Sequence, residues 1–117
     1  MDVKQLLIDT LDSFELPVFL QGSLQDDEEY PESFFTFWNN ETEDAAFFDN
    51  VETRTVWNFD VNFYSSDPAL VNTMLRQAKT KLKAAGFVVQ GAGYDVVSDE
   101  PTHTGRGVGV VYIERVI

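Results

Sequence analysis

Residues 53 to 65 of this chain alternate apolar and polar side chains with a period of two. The apolar set is Trp57, Phe59, Val61 and Phe63, and the polar set between them is Asn58, Asp60 and Asn62. Successive side chains of a β-strand point to opposite faces, so this pattern predicts a strand with one buried face. A sheet containing this strand needs a second layer to cover that face.

Two segments with apolar residues at helical spacing are predicted to supply that layer. The first spans roughly residues 2 to 14 and begins with a capping pair, Asp2 followed by Gln5. The second begins at Asp67, an acidic N-cap followed directly by proline, and ends at Gly86. Its apolar stripe consists of Leu70, Val71, Met74, Leu75, Ala78, Leu82 and Ala85.

The remaining segments complete an α+β domain. Further strands are predicted at residues 18–21, 33–39, 87–90 and 107–116, with 94–97 extending the third of these past a kink at 91–93. Residues 33–39 and 53–65 are expected to pair as an antiparallel hairpin, and loops are expected at 23–32, 40–50 and 98–106. We therefore expect one domain over residues 1–117, with an antiparallel or mixed sheet of four to five strands. Both helices should lie on one face, in the order helix, three strands, helix, two strands.

The stretch from residue 21 to residue 52 contains ten acidic side chains and no Lys or Arg. Seven aromatic residues are interleaved with them, whereas a disordered acidic tail would be poor in aromatics. The stretch is therefore predicted to be a buried strand flanked by anionic loops. The acidic residues expected to form an interaction surface are Asp26, Asp27, Glu28, Glu29, Glu41, Glu43 and Asp44.

The charge balance argues against a phosphate-binding role. The net charge is −12, and 8 basic residues face 20 acidic ones, whereas nucleic-acid affinity rests on Lys and Arg. Two interpretations stay open: simple solubility, or a surface that nucleic acid must pass without sticking. The chain has no cysteine, which excludes disulfides and thiolate metal sites. Neither a signal peptide nor an apolar run long enough to span a bilayer is predicted, so we expect a soluble cytoplasmic protein without membrane partners.

Catalytic, metal and cofactor motifs are weak. The acidic run at 26–29 lacks the alternating ligands and the central glycine of an EF-hand loop, so no metal site is expected. The glycines between 91 and 109 precede strands and do not form a phosphate loop, so no cofactor is expected. They are predicted to lie at turns and bulges, with Gly107 and Gly109 allowing the close approach of a neighbouring chain or helix. The closing loop carries Asp99, Glu100, His103 and Arg106, but one turn with a lone histidine is a poor basis for nucleophilic catalysis. The chain is not expected to be an enzyme.

A basic stripe on the second helix carries Arg76, Lys79 and Lys83. It is either a solvated helix face or a subunit contact that meets the acidic loops of a neighbouring copy. Complementary patches arranged head to tail build rings when the rotation closes. The aromatic residues expected on the uncovered face of the sheet are Phe34, Trp38, Tyr64 and Tyr112, with ordinary core packing as the alternative.

Nearly the whole chain resembles small proteins of the morphogenesis modules of tailed phages and prophages of Gram-positive bacteria. The likeness lies in the strand WNFDVNFY, the helix start SDP, the closing run DEPTHTGRG and the earlier run LQGSLQDDEEYPESFFTFW. The chain is similar to the tail-terminator or tail-completion proteins of long-tailed phages. The resemblance implies a small α+β structural protein of the virion tail and neck, assembled in the host cytoplasm. It also implies a hexameric ring that ends tail-tube polymerisation, contacts the major tail-tube protein and docks the head connector.

Two other roles remain as alternatives at this point. Other neck, head–tail completion or minor capsid proteins of the same module have similar size. An acidic inhibitor that mimics DNA would also carry a strong negative charge, although ten of its 20 carboxylates lie within 32 residues here. In the ring interpretation one acidic loop borders the lumen, and passing DNA is repelled from the wall without specific binding.

Overall fold

The fold is a five-stranded sheet with two helices. The computed structural model describes residues 2–21, 31–47, 51–98 and 101–115, and the side chains of all of these except 43–47 and 51–53. The elements are α1 (Val3–Asp12), β1 (Val18–Leu20), β2 (Ser33–Phe47), β3 (Val51–Ser65), α2 (Pro68–Ala84), β4 (Val88–Val96) and β5 (Thr104–Arg115). This order confirms the predicted α+β class.

The sheet is mixed, and its strands lie in the order β1-β2-β3-β5-β4. β1 runs parallel to β2, and every other neighbouring pair is antiparallel. β3 is the central strand, paired with β2 from Ser65 to Val51 and with β5 from Ser65 to Arg54. The segment with the strict period of two is therefore the middle of the sheet, where one face must be apolar along its length.

Both helices pack on one face of the sheet, called the helix face here. Phe59, Val61 and Phe63 of β3 point to it and are at most 1% exposed, as the alternation predicts. The helices contribute their stripes to the same core, and the buried members are Val3, Leu7, Leu11, Val71, Leu75, Ala78 and Leu82. Burial of these apolar stripes is what holds the two layers together.

Side-chain caps fix where both helices begin. Asp2 accepts a hydrogen bond from the Gln5 amide at 3.0 Å, whereas the Gln5 side chain turns forward to Asp9 instead of closing the reciprocal pair. Asp67 caps α2 by accepting from the Ala69 amide at 3.1 Å. The hydroxyl of Ser65, which is fully buried, accepts from the Asp67 amide at 3.0 Å.

The predicted acidic loop at 40–50 is wrong for residues 40 to 47, because β2 continues through them. Residues 41 to 47 pair with 51 to 58 of β3, so the backbone ladder of the hairpin outweighs the poor strand propensity of the sequence. A register shift follows Asn39, whose side-chain amide donates to the carbonyls of Asn58 at 3.0 Å and Glu41 at 3.3 Å. The Asn39 side chain therefore replaces backbone pairing at this register shift and stabilises the bulge. The loop predicted at 23–32 lies almost entirely outside the described residues.

The C-terminal hairpin of β4 and β5 confirms the predicted kink. The register of β4 against β5 skips between Gln90 and Tyr94, and both Gly91 and Gly93 have positive φ. Such a bulge twists an edge strand and interrupts its ladder. β5 begins at Thr104, three residues earlier than predicted, because Ser65 of β3 supplies a pairing partner there.

The other face of the sheet, called the open face here, carries neither of the two described helices. Phe34 and Tyr64 stack on it with ring centroids 5.3 Å apart, and Phe34 is 2% exposed because Phe19 and His103 also pack against it. Trp38 lies on the same face as predicted. Tyr112 does not: its register opposite Trp57 places it on the helix face, where its ring lies 5.0 Å from that of Phe87.

Candidate assembly surfaces

A basic groove lies between α2 and the edge strand β4. Arg76 and Lys79 of α2 line it together with Arg106 of β5, and its volume is about 340 Å³. Asn72, Leu75 and Ala92 complete the lining. We call this surface the basic groove throughout.

Helical spacing positions the α2 side of the groove. Asn72, Arg76, Lys79 and Lys83 follow one another at intervals of three and four residues, which places them along one side of the helix. Lys83 is exposed and continues the line past the groove. Lys81 lies on another side of α2, where its Nζ donates to the Ser13 hydroxyl at 2.9 Å and lies 4.5 Å from the centre of the Phe14 ring.

Arg106 reaches the groove from the sheet. Its register opposite Phe63 places it on the helix face, at the side of the sheet next to α2. Its guanidinium donates to Asp95 at 2.8 Å and to the Gly93 carbonyl at 3.2 Å, so it fastens the bulge of β4. Asp95 itself is 92% exposed, and this ion pair is therefore of modest strength.

The groove is the positive region of a negative protein. Residues 68 to 94 contain no Asp or Glu and carry four of the eight basic residues. Within the described part of the chain, no carboxylate pairs with Arg76 or Lys79. Each of these two charges is therefore available to a carboxylate from another molecule.

The acidic residues predicted to form a surface are divided by the structure. Glu41 is exposed on β2, and Glu43 and Asp44 follow it in the same strand, opposite Val56 and Thr55 of β3. They belong to a strand edge and not to the predicted loop. The other four, Asp26, Asp27, Glu28 and Glu29, lie outside the described residues, and so do Asp99 and Glu100 of the closing loop.

The closing loop does not bring its described residues to one centre. The His103 Nε2 atom lies 2.8 Å from the carbonyl oxygen of Pro31, and its Nδ1 atom lies 2.9 Å from the Thr102 hydroxyl. Arg106 instead binds Asp95 and the Gly93 carbonyl. Nε2 donates to the carbonyl, which can only accept, and this hydrogen bond ties the loop to Pro31, two residues before β2 begins.

A polar strip across the open face was not anticipated. Asn62 is 5% exposed, and its amide lies over Gly107, with its Oδ1 atom unpartnered among the described residues. Tyr94 donates to Asp60 at 3.2 Å on the same face. Burial raises the pKa of Tyr94 above its ordinary value of 10.0, and the neighbouring Asp60 carboxylate raises it further.

The sequence signal for this strip was the alternation of glycine at 105, 107 and 109. Gly107 and Gly109 were expected to admit a neighbouring chain or helix. Side chains of the adjacent strands fill that space instead: the Tyr64 ring lies over Gly105, Asn62 over Gly107 and Gln90 over Gly109. In β5 the period of two in glycine therefore identifies the face over which side chains of the adjacent strands lie.

Comparison with known protein families and with curated proteins finds no match to this chain. Across the described residues, no cluster of three or more His, Asp or Glu side chains is arranged to hold a metal ion. No helix in the described part of the chain has both the length and the apolar character needed to cross a membrane.

Proposed function

We propose that this chain is a structural virion protein, a tail terminator that forms a ring at the tail–head junction of a long-tailed phage. It ends polymerisation of the tail tube and offers a docking surface to the head connector. The chain works by shape and charge and catalyses no reaction. The sequence resemblance to tail-completion proteins motivates the proposal, and one structural observation carries it.

That observation is the uncovered open face of the sheet. Trp38 is 48% exposed, Val88 is 56% exposed and Ile113 is 47% exposed. Val56 and Val111, which are half-buried, lie beside Ile113 and Val88 in the ladder: Val56 is opposite Ile113, and Val111 is opposite Val88. Trp38 lies on β2 of the same face, opposite Asp60. A cluster of exposed apolar side chains on one sheet face is typical of a protein–protein interface. It supports a role in which the chain is one part of a larger assembly.

Charge supports the position at a DNA conduit. A net charge of −12 repels nucleic acid, and the acidic hairpin of β2 and β3 concentrates part of that charge at one end of the sheet. A ring with such segments at its lumen lets DNA pass without adhering to the wall.

The test is to add the purified chain to growing tail tubes of the same virus and to image them by electron microscopy. We expect rings at one end of the tubes and a uniform tube length. The variant Val88→Asp with Ile113→Asp should abolish capping, because it places two carboxylates in the open face. The matched control, Lys4→Asp with Gln77→Asp, changes two exposed helix positions and should leave capping intact.

Tubes that grow to the same lengths with and without the wild-type chain, and that carry no added density at their ends, would refute the proposal. If the variant Val88→Asp with Ile113→Asp caps tubes as efficiently as the wild type, the open face is not part of the interface.

A further inference from the structure

We propose that the basic groove receives the acidic segment of β2, residues 41 to 44, from a second copy of this chain. The inference rests on the ring-forming role proposed above and names the contact that joins one subunit to the next. The occupant is a second copy of this chain, because the chain itself carries the complementary acidic surface.

The two surfaces lie on opposite sides of one sheet. The acidic segment is on β2, and the groove borders β4, with β3 and β5 between them. Three strand spacings separate the two strands by about 14 Å. Along β3 the segment lies opposite residues 55–58, whereas Arg106 of the groove lies opposite Phe63. They therefore meet only between molecules.

Their charges are complementary over whole stretches of sequence. The stretch 21–52 that contains the segment has ten acidic residues and no basic one, whereas residues 68–94 have four basic residues and no acidic one. Arg76 and Lys79 have no carboxylate partner among the described residues. Glu41 and Glu43 are two residues apart in β2 and share one face of the sheet. Two carboxylates facing the two cations of the groove would offset their charge and steer the encounter of the two surfaces.

Within the described residues, the segment is accessible to a neighbour at Glu41, whose side chain is exposed. β1 pairs with β2 only at residues 35–37, and the Gln21 amide donates to the Phe37 carbonyl where this pairing ends. The bulge in β4 interrupts its outer ladder, so continuous strand addition is disfavoured there and side chains make the contact. Because each copy uses its segment once and its groove once, the contact is head to tail and closes into a ring when the rotation allows.

Cysteine cross-linking tests the contact directly, because the chain has no cysteine of its own. A Lys79→Cys chain is mixed with a Glu43→Cys chain under mild oxidation, and the rate of mixed dimer formation is measured. The control pair replaces Lys79→Cys by Gln77→Cys, an exposed position on another side of α2. We expect the first pair to react about tenfold faster than the control, since docking raises the effective concentration of the two thiols.

Charge reversal then identifies the cause. Adding Arg76→Glu to the Lys79→Cys chain should slow the reaction to the control rate. Adding Glu41→Lys to the Glu43→Cys partner should restore the rate, because position 41 lies on the same face as position 43 and the signs are again opposite. Raised salt should slow the wild-type pair.

Equal rates for the Lys79 and Gln77 pairs, in solution and on capped tail tubes, would overturn the groove assignment while leaving the tail role standing. Fast, charge-dependent cross-linking by a chain that never caps tubes would instead support the contact and refute the tail role. A reaction that ignores the reversals would also overturn the proposal, because docking would then not depend on these charges.

Discussion

The amide of Asn62 lies over Gly107 of the neighbouring strand, in the space that a Cβ atom at position 107 would occupy. Asn62 is buried and has little room to move away, and the Tyr94 ring lies 3.2 Å from the same Cβ position. Gly107→Ala should therefore lower the free energy of unfolding by about 1–3 kcal/mol through overpacking.

The matched control is Gly109→Ala, two residues along the same strand. There a new Cβ atom meets the end of the exposed Gln90 side chain, which can turn away. Stability should change by about 0.5 kcal/mol or less, since this is a surface substitution with room to adjust. Urea denaturation of both variants measures the difference, and equal losses would show that Asn62 is not the obstacle.

Phe34 and Trp38 should separate folding from assembly. Phe34 is 2% exposed and packs against Tyr64, so Phe34→Ala should cost about 3–5 kcal/mol of unfolding free energy. Trp38 is 48% exposed, and Trp38→Ala should cost only about 1 kcal/mol because half of its surface is already in water. Thermal unfolding measures stability, and tube capping measures assembly. A stable Trp38→Ala chain that caps normally would contradict the proposed use of this side chain.

The raised pKa of Tyr94 predicts that the free energy of unfolding falls at alkaline pH. Burial raises this pKa above 10.0, and Asp60 and Tyr64 raise it further. In the unfolded chain the phenol ionises first, so the folded state binds more protons and loses stability as the pH rises above about 10. Denaturation at pH 8 to 11 should show this fall, and Tyr94→Phe should reduce it.

Asp60→Asn provides the control for that pH effect. It removes the nearby negative charge and retains a side-chain oxygen that can accept from the Tyr94 hydroxyl. The pKa of Tyr94 should then move down toward its ordinary value. Phenolate absorbance measures it, as the difference between the Asp60→Asn chain and the same chain with Tyr94→Phe added. An unchanged titration would assign the whole effect to burial.

The N-cap of α2 offers a prediction about the helix that carries the basic groove. Asp67→Ala removes the acceptor for the Ala69 amide and should destabilise the protein by about 1 kcal/mol. Asp67→Asn retains a side-chain oxygen and should be close to neutral. Chemical denaturation compares the two, and a loss of similar size in both would point to the charge and not to the hydrogen bond.

Sequence reasoning predicted the elements whose local signals and tertiary environment agree. The alternation through Phe59, Val61 and Phe63 marked the central strand, and the cap at Asp67 marked the start of α2. It failed at Glu41 to Phe47, where polar composition favoured a loop. Pairing with β3, which no local signal encodes, carries the strand onward.

The candidate surfaces show the same division. The stripe of Arg76 and Lys79 follows from helical spacing, and its basic character was evident in advance. The addition of Arg106 depends on the register of β5 against β3, and Tyr112 was assigned to the wrong face for the same reason. A shift of one residue in register exchanges the two faces, and composition does not determine it.

The buried hydroxyl of Ser65 joins three elements: it lies 2.9 Å from the Ser33 hydroxyl at the start of β2, it ends β3, and it binds the Asp67 amide ahead of α2. The open end of the β2–β3 hairpin and the N-terminus of α2 are thereby hydrogen-bonded to the same side chain. The orientation of the hairpin and that of α2 are therefore coupled. In the proposed ring, successive copies linked through these two elements would inherit a constant bending angle, and that angle would fix how many copies complete a circle.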